Sequence, residues 1–302
     1  MAQGNRDRTS MSTTPAQGKV NATTKQATLP VEASQNIDKD PNTKRIVQLG
    51  GGVELGGQKV QIFAGPCAVE TTDQFGEIAH VVKDSGVSIL RGGVYKLRTS
   101  PNSFQGLGEK GFEIVAQICH ETGLKFVTEA IDEESLELVD AHADMIQIGT
   151  RNMHNYPLLK KAGKCRKPIL LKRGFSASLE EFLLAAQYIL NAGNESVVLC
   201  ERGIRTFCKF TRFTLDLNIV PALKERTDLP VMVDVSHGTG ERNLVSPMAL
   251  AAIACGADGV MVEVHNAPDE ALSDGKQSID MKTYRELVPK MRAVAEAVGR
   301  SV

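Results

Sequence analysis

Short apolar runs alternate with longer amphipathic stretches along most of this chain. Each run holds six to eight residues rich in Val, Ile and Leu, a length typical of a buried strand and too short for an independent helix. The runs therefore predict a sheet whose strands are buried on both faces. We predict eight strands, at residues 60–65, 88–93, 125–130, 144–149, 168–174, 196–203, 230–237 and 259–265.

The segments between these runs have the periodicity of helices. In the first segment, Phe75, Ile78 and Val82 recur at the spacing of one buried helix face. In the fifth, Ser178 followed three residues later by Glu181 predicts a capped helix start. Eight strand–helix units over about 240 residues match a (β/α)8 TIM barrel in number and size.

An open, doubly wound sheet is the alternative architecture for alternating strands and helices. Such a sheet favours a glycine-rich GxGxxG turn after its first strand, and the sequence AGPCAVE at 64–70 does not supply one. We therefore predict the barrel. The stretch IVQLGGGVELGGQKV at 46–60 predicts a β-hairpin before the first barrel strand, with glycines at its turns.

Residues 1–44 differ from the rest of the chain in composition. They are rich in Ser, Thr, Gln, Asn and Lys and contain few large apolar residues, so they cannot bury enough surface to offset the entropy of ordering. We predict a disordered polar tail at 1–44 and a TIM-barrel catalytic domain at 45–302, with the hairpin at 45–60.

Composition narrows the class of protein. The chain has 302 residues, 42% of them hydrophobic, and a formal net charge of -1, which argues against a nucleic-acid or membrane-surface partner. The sequence contains no run of 18 apolar residues, so it predicts no membrane-spanning helix. The six cysteines have no CxxC spacing and are typical of reduced thiols, so we expect a cytoplasmic protein.

Ionisable residues follow nearly every predicted strand, and in a TIM barrel the carboxyl ends of the strands form the active site. One group consists of Lys and Arg residues. Bringing these cations together at one end of the barrel costs free energy unless anions compensate their charge. Arginine suits phosphate and carboxylate, so the group predicts a site for more than one phosphate. Its members are Arg91, Lys96, Arg98, Arg151, Lys172 and Arg202.

A second group at the strand ends has the donor types of a divalent metal site. It comprises Cys67, His237, Glu263 and Asp274, a thiol, an imidazole and two carboxylates. Manganese, iron, zinc and cobalt accept such a mixed set. From spacing alone, a metal site and a set of ordinary core and ion-paired side chains are both open.

At these positions the chain resembles 3-deoxy-D-arabino-heptulosonate 7-phosphate (DAHP) synthase, in the compact barrel form related to 3-deoxy-manno-octulosonate 8-phosphate synthase. The resemblance covers residues 46–300 in collinear order. It is carried by AGPCAVE, LRGGVYKLRTSPNSFQGLG, QIGTRNM, LLKRGFSAS, LCERGIRTF, VDVSHGTG, VEVH and LSDGKQSI.

The resemblance implies condensation of phosphoenolpyruvate with erythrose 4-phosphate, the first step of the shikimate route to aromatic amino acids. It implies one divalent metal ion held by Cys67, His237, Glu263 and Asp274, and it makes Lys96, Cys67 and His237 the catalytic residues. It places phosphoenolpyruvate on Arg91, Lys96, Arg151, Lys172 and Arg202. It places the aldehyde's phosphate on Arg98 and Thr99.

The chain departs from the family pattern at Leu97 and Val235, where family members usually have proline. The length of the Lys96–Ser100 loop favours the four-carbon aldehyde, while the same chemistry on arabinose 5-phosphate or a modified aldehyde phosphate stays an alternative. The resemblance also implies a homo-oligomer, a dimer or tetramer. Because only the polar tail precedes the hairpin, we expect no feedback inhibition by aromatic amino acids through a fused domain.

Overall fold

The computed structural model describes residues 44–302, together with positions 1 and 4. Apart from positions 1, 4 and 44, the tail predicted at 1–44 lies outside the described residues. The strands are β1 Val47–Gly50, β2 Val53–Leu55, β3 Gln61–Gly65, β4 Ile89–Arg91, β5 Lys125–Ala130, β6 Met145–Ile148, β7 Ile169–Lys172, β8 Val197–Glu201, β9 Val231–Asp234, β10 Gly259–His265 and β11 Ile279–Asp280.

Helices follow the strands in regular alternation. They are α1 Thr72–Asp84, α2 Glu109–Thr122, α3 Glu133–His142, α4 Tyr156–Ala162, α5 Leu179–Asn191, α6 Ile219–Arg226, α7 Val235–Thr239, α8 Arg242–Ala254 and α9 Met281–Ala297. Two short 3-10 turns, Thr150–Asn152 and Gly275–Gln277, lie in loops after β6 and β10.

Strands β3 to β10 form a closed parallel barrel. Each pairs in parallel with the next along the chain, and β10 pairs with both β9 and β3, which closes the sheet. Each of the eight strands predicted from the sequence corresponds to one barrel strand, so the (β/α)8 prediction is confirmed. The short β11 adds to β10 at the rim.

The buried strands alternate between two apolar clusters. In β3, Ile62 and Ala64 join the cluster that packs against the helices, whereas Phe63 joins the one that fills the barrel. The predicted hairpin is β1–β2, and its apolar side chains belong to the inner cluster. Gly50 approaches Lys125 at the start of β5, so the hairpin covers the amino-terminal end of the barrel.

Helix α5 begins as the sequence predicts. The Ser178 hydroxyl accepts from the Glu181 N–H at 3.1 Å, and the Glu181 carboxylate accepts from the Ser178 N–H at 2.8 Å, which is a complete capping box. Gly193, after the helix, has a φ of 114°, a conformation that favours glycine.

The seventh strand ends earlier than predicted. The apolar run at 230–237 predicts strand up to His237, but β9 stops at Asp234 and Val235–Thr239 forms α7. Asp234 is the N-cap of this helix and its Oδ1 accepts from the His237 N–H at 3.0 Å. An aspartate cap is a local hydrogen bond that strand periodicity does not reveal.

Within residues 44–302, no helix is both long enough and apolar enough to cross a membrane.

Candidate active site

The carboxyl ends of the barrel strands surround a cavity of about 270 Å³. Its lining includes all six cations predicted from strand ends, and Arg212 in addition. Thr99 and Leu97 also line it, as do the two acids Glu129 and Asp274. The structure therefore brings residues from six strand ends to one strongly cationic mouth, which is the arrangement that the sequence predicts.

Three of the four proposed ligands meet at one side of this cavity. One donor atom each from Cys67, His237 and Asp274 lies within 4.8 Å of the other two. The Cys67 thiol donates to Asp274 Oδ2 at 3.1 Å, and His237 Nε2 lies 4.0 Å from the same oxygen. A thiol, an imidazole and a carboxylate at this spacing suit a divalent cation.

Glu263 adjoins this group without belonging to the close set of three. Its Oε1 lies 3.4 Å from His237 Nε2 and accepts from Arg91 Nη1 at 2.8 Å. Its Oε2 accepts from Gln277 Nε2 at 2.7 Å, and the side chain is fully buried. The nearest charged partner of Glu263 in this structure is therefore the Arg91 guanidinium.

Burial and charge set the protonation of the thiol and the amine. Burial raises the pKa of Cys67 to about 12, with Glu263 adding to the effect and Lys96 opposing it. Burial acts to lower the pKa of Lys96, but the Cys67 and Glu263 charges outweigh it and raise the pKa to about 12. Lys96 Nζ, 3.0 Å from Cys67 Sγ, is thus a cation at neutral pH.

Asp274 occupies a strained backbone position. Its φ of 52° is the left-handed region, and it is the one non-glycine with positive φ among the described residues. Burial acts to raise the pKa of its carboxyl, but His237 and Lys96 outweigh it and hold the pKa well below its usual range. The loop after β10 therefore presents an ionised carboxylate to Cys67 and His237.

His237 is oriented by the carboxylate that caps its own helix. Asp234 Oδ2 lies 2.8 Å from His237 Nδ1, which directs Nε2 toward Glu263 and Asp274. Val235, where the resemblance leads us to expect proline, is the first residue of α7, a position that also suits proline. With valine at this position, the helix that carries His237 is still formed.

Arg202 follows β8, is buried, and forms no ion pair with a carboxylate of residues 44–302. Its guanidinium lies 4.2 Å from the ring centroid of Phe213 and 5.0 Å from that of Phe175. These two rings stack at 5.2 Å with an interplanar angle of 8°. Burial lowers the pKa of Arg202, the Asp234 charge opposes this effect, and the Arg212 charge adds to it. A buried cation held on aromatic faces is suited to an anionic ligand.

The other predicted cations differ in their partners. Lys172 forms an ion pair with Asp234, and Arg98 donates to the Ser273 hydroxyl at 2.7 Å. Arg151 is exposed, with its guanidinium 5.9 Å from the Phe175 ring centroid.

Arg173, another ionisable residue at a strand end, serves the scaffold. Arg173 forms ion pairs with Glu201 and Asp216, each at 3.0 Å, and does not line the cavity. All six cysteines are free, and Cys67 alone among them joins the metal-type cluster found in residues 44–302.

Sequence reasoning missed several residues of the site. Phe175, Phe213 and Arg212 lie in loops after β7 and β8, and their roles arise from stacking that sequence periodicity does not show. The signal that could have found Arg212 is its place in the long, cation-rich loop at 202–218, which follows a barrel strand.

Comparisons with known proteins agree with this geometry. Residues 30–299 match the model of the DAHP synthetase I family. The chain is 53% identical over 252 residues to phospho-2-dehydro-3-deoxyheptonate aldolase of Thermotoga maritima, covering 83% of this chain and 75% of that protein. It is 32% identical over 251 residues to 2-dehydro-3-deoxyphosphooctonate aldolase of Nitratidesulfovibrio vulgaris, covering 77% of this chain and 91% of that protein.

Solved structures give the same result. A crystal structure of the Thermotoga maritima DAHP synthase superposes with a TM-score of 0.86 at 50% identity, covering 88% of this chain and 78% of that one. A truncated form of the Thermotoga maritima synthase superposes with a TM-score of 0.82 at 47% identity, covering 88% and 98%. With the family model, these matches establish that the chain belongs to the DAHP synthetase I family.

Proposed function

We propose that this enzyme condenses phosphoenolpyruvate with erythrose 4-phosphate, releasing phosphate and forming 3-deoxy-D-arabino-heptulosonate 7-phosphate. The observation that carries the proposal is the placement of the Cys67, His237 and Asp274 donor atoms, within 4.8 Å of one another, beside a cavity lined by seven Lys and Arg side chains. Two phosphorylated reactants need such a cationic cavity to overcome their mutual repulsion.

A divalent cation fits the donor set beside the cavity. His237 engages Asp234 through Nδ1, which leaves the Nε2 lone pair free for a metal. Cys67 Sγ and Asp274 Oδ2 would complete the close set, with Glu263 adjoining. When bound, manganese, iron, zinc or cobalt supplies a Lewis acid for a carbonyl oxygen.

The cations would divide between the two substrates. We assign phosphoenolpyruvate to Arg91, Lys96, Arg151, Lys172 and Arg202. Lys96, with its ammonium beside Cys67, would face the carboxylate and the reacting carbons. Arg98 and Thr99, both at the cavity wall, would take the phosphate of the aldehyde. Fixing both anions in one cavity replaces a bimolecular encounter by a positioned reaction.

The reaction then balances without a redox step. C3 of phosphoenolpyruvate forms a bond to the aldehyde carbon, and the aldehyde oxygen takes up a proton. Water adds at C2, where positive charge develops, and loses a proton. The resulting intermediate expels phosphate with the bridging oxygen, and the C2 hydroxyl passes its proton to the departing phosphate, which leaves a ketone at C2. The buried Lys and Arg side chains stabilise the anionic groups throughout.

The proposal also includes the metabolic pathway, the oligomeric state and the cellular compartment of the enzyme, which we infer from family membership. The condensation would be the first step of the shikimate route to aromatic amino acids, in a cytoplasmic enzyme. A homo-oligomer, dimer or tetramer, is the assembly that we infer. Size-exclusion chromatography with light scattering measures the assembly directly, and a monomer at micromolar concentration contradicts it.

The test is phosphate release from phosphoenolpyruvate by the metal-loaded protein. We expect release to require erythrose 4-phosphate and to yield one heptulosonate phosphate for each phosphate. Phosphate release at the same rate without any aldehyde would identify a phosphatase instead. Failure with both four-carbon and five-carbon aldehyde phosphates would refute the proposed condensation.

A further inference from the structure

Residues 203–214, here called the arm, follow β8 and lie beside the cavity. Two backbone hydrogen bonds of 2.9 Å join Ile204 and Thr214 across the arm in an antiparallel bridge. At its base, Glu201 Oε1 accepts from the Gly203 N–H at 2.6 Å. The arm is therefore anchored to the barrel rim, and side chains near its base have defined positions.

Arg212 lies on the returning half of the arm and reaches the cavity. Its guanidinium is 5.2 Å from the ring centroid of Phe213, the ring that Arg202 also covers at 4.2 Å. Phe213 is buried and fixes both stacking partners. One aromatic side chain thus holds two guanidinium groups at the wall of the same cavity.

In the described part of the chain, neither guanidinium lies within ion-pair distance of a carboxylate. None of the ion pairs in residues 44–302 includes Arg202 or Arg212, whereas Arg91 and Lys172 in the same cavity each pair with a carboxylate. Two cations on one ring repel each other, and the repulsion is offset when a dianion binds between them. Arginine's planar fork, pre-oriented by stacking, is suited to a phosphate group.

We propose that Arg212 binds the phosphate of phosphoenolpyruvate together with Arg202, an assignment that rests on the proposed function of this site. Arg202 and Arg212 form a clamp on one anion, because they share Phe213. The aldehyde's phosphate is assigned to Arg98 and Thr99, which belong to the loop after β4 rather than to the arm.

The test compares Arg212→Ala and Arg212→Lys with a matched control, Arg205→Ala. Arg205 is also an exposed arm residue stacked on an aromatic ring, at 4.8 Å from the Phe175 centroid, but it does not line the cavity. For Arg212→Ala we expect the KM for phosphoenolpyruvate to rise about tenfold or more, the loss typical of a charge-assisted contact. The KM for the aldehyde should change less than about twofold, and Arg212→Lys should recover part of the loss.

Calorimetric titration of the metal-loaded enzyme with phosphoenolpyruvate alone measures the affinity for this substrate in the absence of turnover. Weaker binding by Arg212→Ala, with Arg205→Ala unchanged, supports the clamp. An unchanged phosphoenolpyruvate affinity, a rise confined to the KM of the aldehyde, or an equal loss in Arg205→Ala overturns it. A wild-type enzyme that binds phosphoenolpyruvate but condenses it with no aldehyde would refute the proposed function while leaving the clamp testable by titration.

Discussion

Asp234 Oδ2 lies 2.8 Å from His237 Nδ1, and the same carboxylate forms an ion pair with Lys172. Burial acts to raise the pKa of Asp234, but His237 and Lys172 outweigh it and hold the pKa well below its usual range. An ionised carboxylate only accepts hydrogen bonds, so the tautomer of a neutral imidazole that suits this contact carries its proton on Nδ1 and presents the Nε2 lone pair. One buried residue thus orients a proposed metal ligand and a proposed substrate-binding cation.

We expect Asp234→Asn to weaken metal binding by about 10- to 100-fold, the usual cost of losing the partner that orients a ligating histidine. The amide also removes the negative charge opposite Lys172, so the KM for phosphoenolpyruvate should change as well. Metal titration followed by steady-state kinetics at saturating metal separates the two effects.

Asp258→Asn is the matched control for this variant. Asp258 is a buried carboxylate at the opposite end of the barrel, where it pairs with Arg300 at 3.1 Å. It should lower the melting temperature without altering metal affinity. Equal metal affinities of Asp234→Asn and wild type would refute the orienting role of Asp234.

The barrel could be predicted because its signal is local and repeated. Each strand is a short apolar run and each helix has one apolar face, so eight units follow from periodicity alone. The residues at which strands and helices begin and end were less predictable. β9 ends at Asp234 because the Asp234 side chain caps α7, and a side-chain hydrogen bond of this kind competes with strand extension.

The site residues that could be predicted are those at strand ends, because a barrel brings its strand ends together whatever the sequence between them. Cys67, Lys96 and His237 fall in this group. Partners that depend on loop conformation were not predictable. Gln277 donates to Glu263, and Ser273 lies 3.2 Å from Cys67 Sγ, because the loop after β10 folds back over the mouth.

Cys67→Ala should abolish condensation by removing the thiol of the close donor set. Because the remaining imidazole and carboxylate hold a divalent ion less tightly, bound metal should fall by about tenfold or more at equal free metal. Elemental analysis of dialysed protein measures this. Cys255→Ala, which alters a half-buried thiol outside the cluster, should retain full metal content and activity. A Cys67→Ala enzyme with full turnover would disprove the ligand assignment.

Removal of metal by a chelator should stop phosphate release, and addition of a divalent cation should restore it. The reason is that, on the proposed function, Asp274, Cys67 and His237 would hold a divalent ion that supplies a Lewis acid for the aldehyde oxygen. Comparison of manganese, iron, zinc and cobalt in the restored enzyme ranks the metals. Activity that survives exhaustive chelation, with elemental analysis showing no residual metal, would exclude a role for metal in turnover.

The capping box of α5 gives a prediction about stability. Ser178→Ala removes the hydroxyl that accepts from Glu181 N–H, and we expect a loss of about 1 kcal/mol in the free energy of unfolding. Thermal and urea denaturation measure it. Ser176→Ala, at an exposed position just before the helix, is the control and should stay within about 0.5 kcal/mol of wild type. A loss of the same size in both variants would show that the cap is not its source.

Leu97 gives a prediction about aldehyde choice. It lines the cavity next to Arg98 and Thr99, to which we assign the aldehyde's phosphate. The additional hydroxyl of arabinose 5-phosphate would meet an apolar side chain there, and an unpaired polar group is costly when buried. We therefore expect kcat/KM to be higher for erythrose 4-phosphate, by about tenfold or more.

Two variants at the same position separate hydrogen bonding from volume. Leu97→Asn offers an amide to the extra hydroxyl and should narrow the preference for the four-carbon aldehyde. Leu97→Ala enlarges the cavity without adding a polar partner, so it should narrow the preference less if the missing hydrogen bond is the cause. Equal effects of the two would identify space as the determinant. Wild-type preference for arabinose 5-phosphate would instead favour the octulosonate reaction, because the metal-type cluster and the cations of the cavity serve either aldehyde.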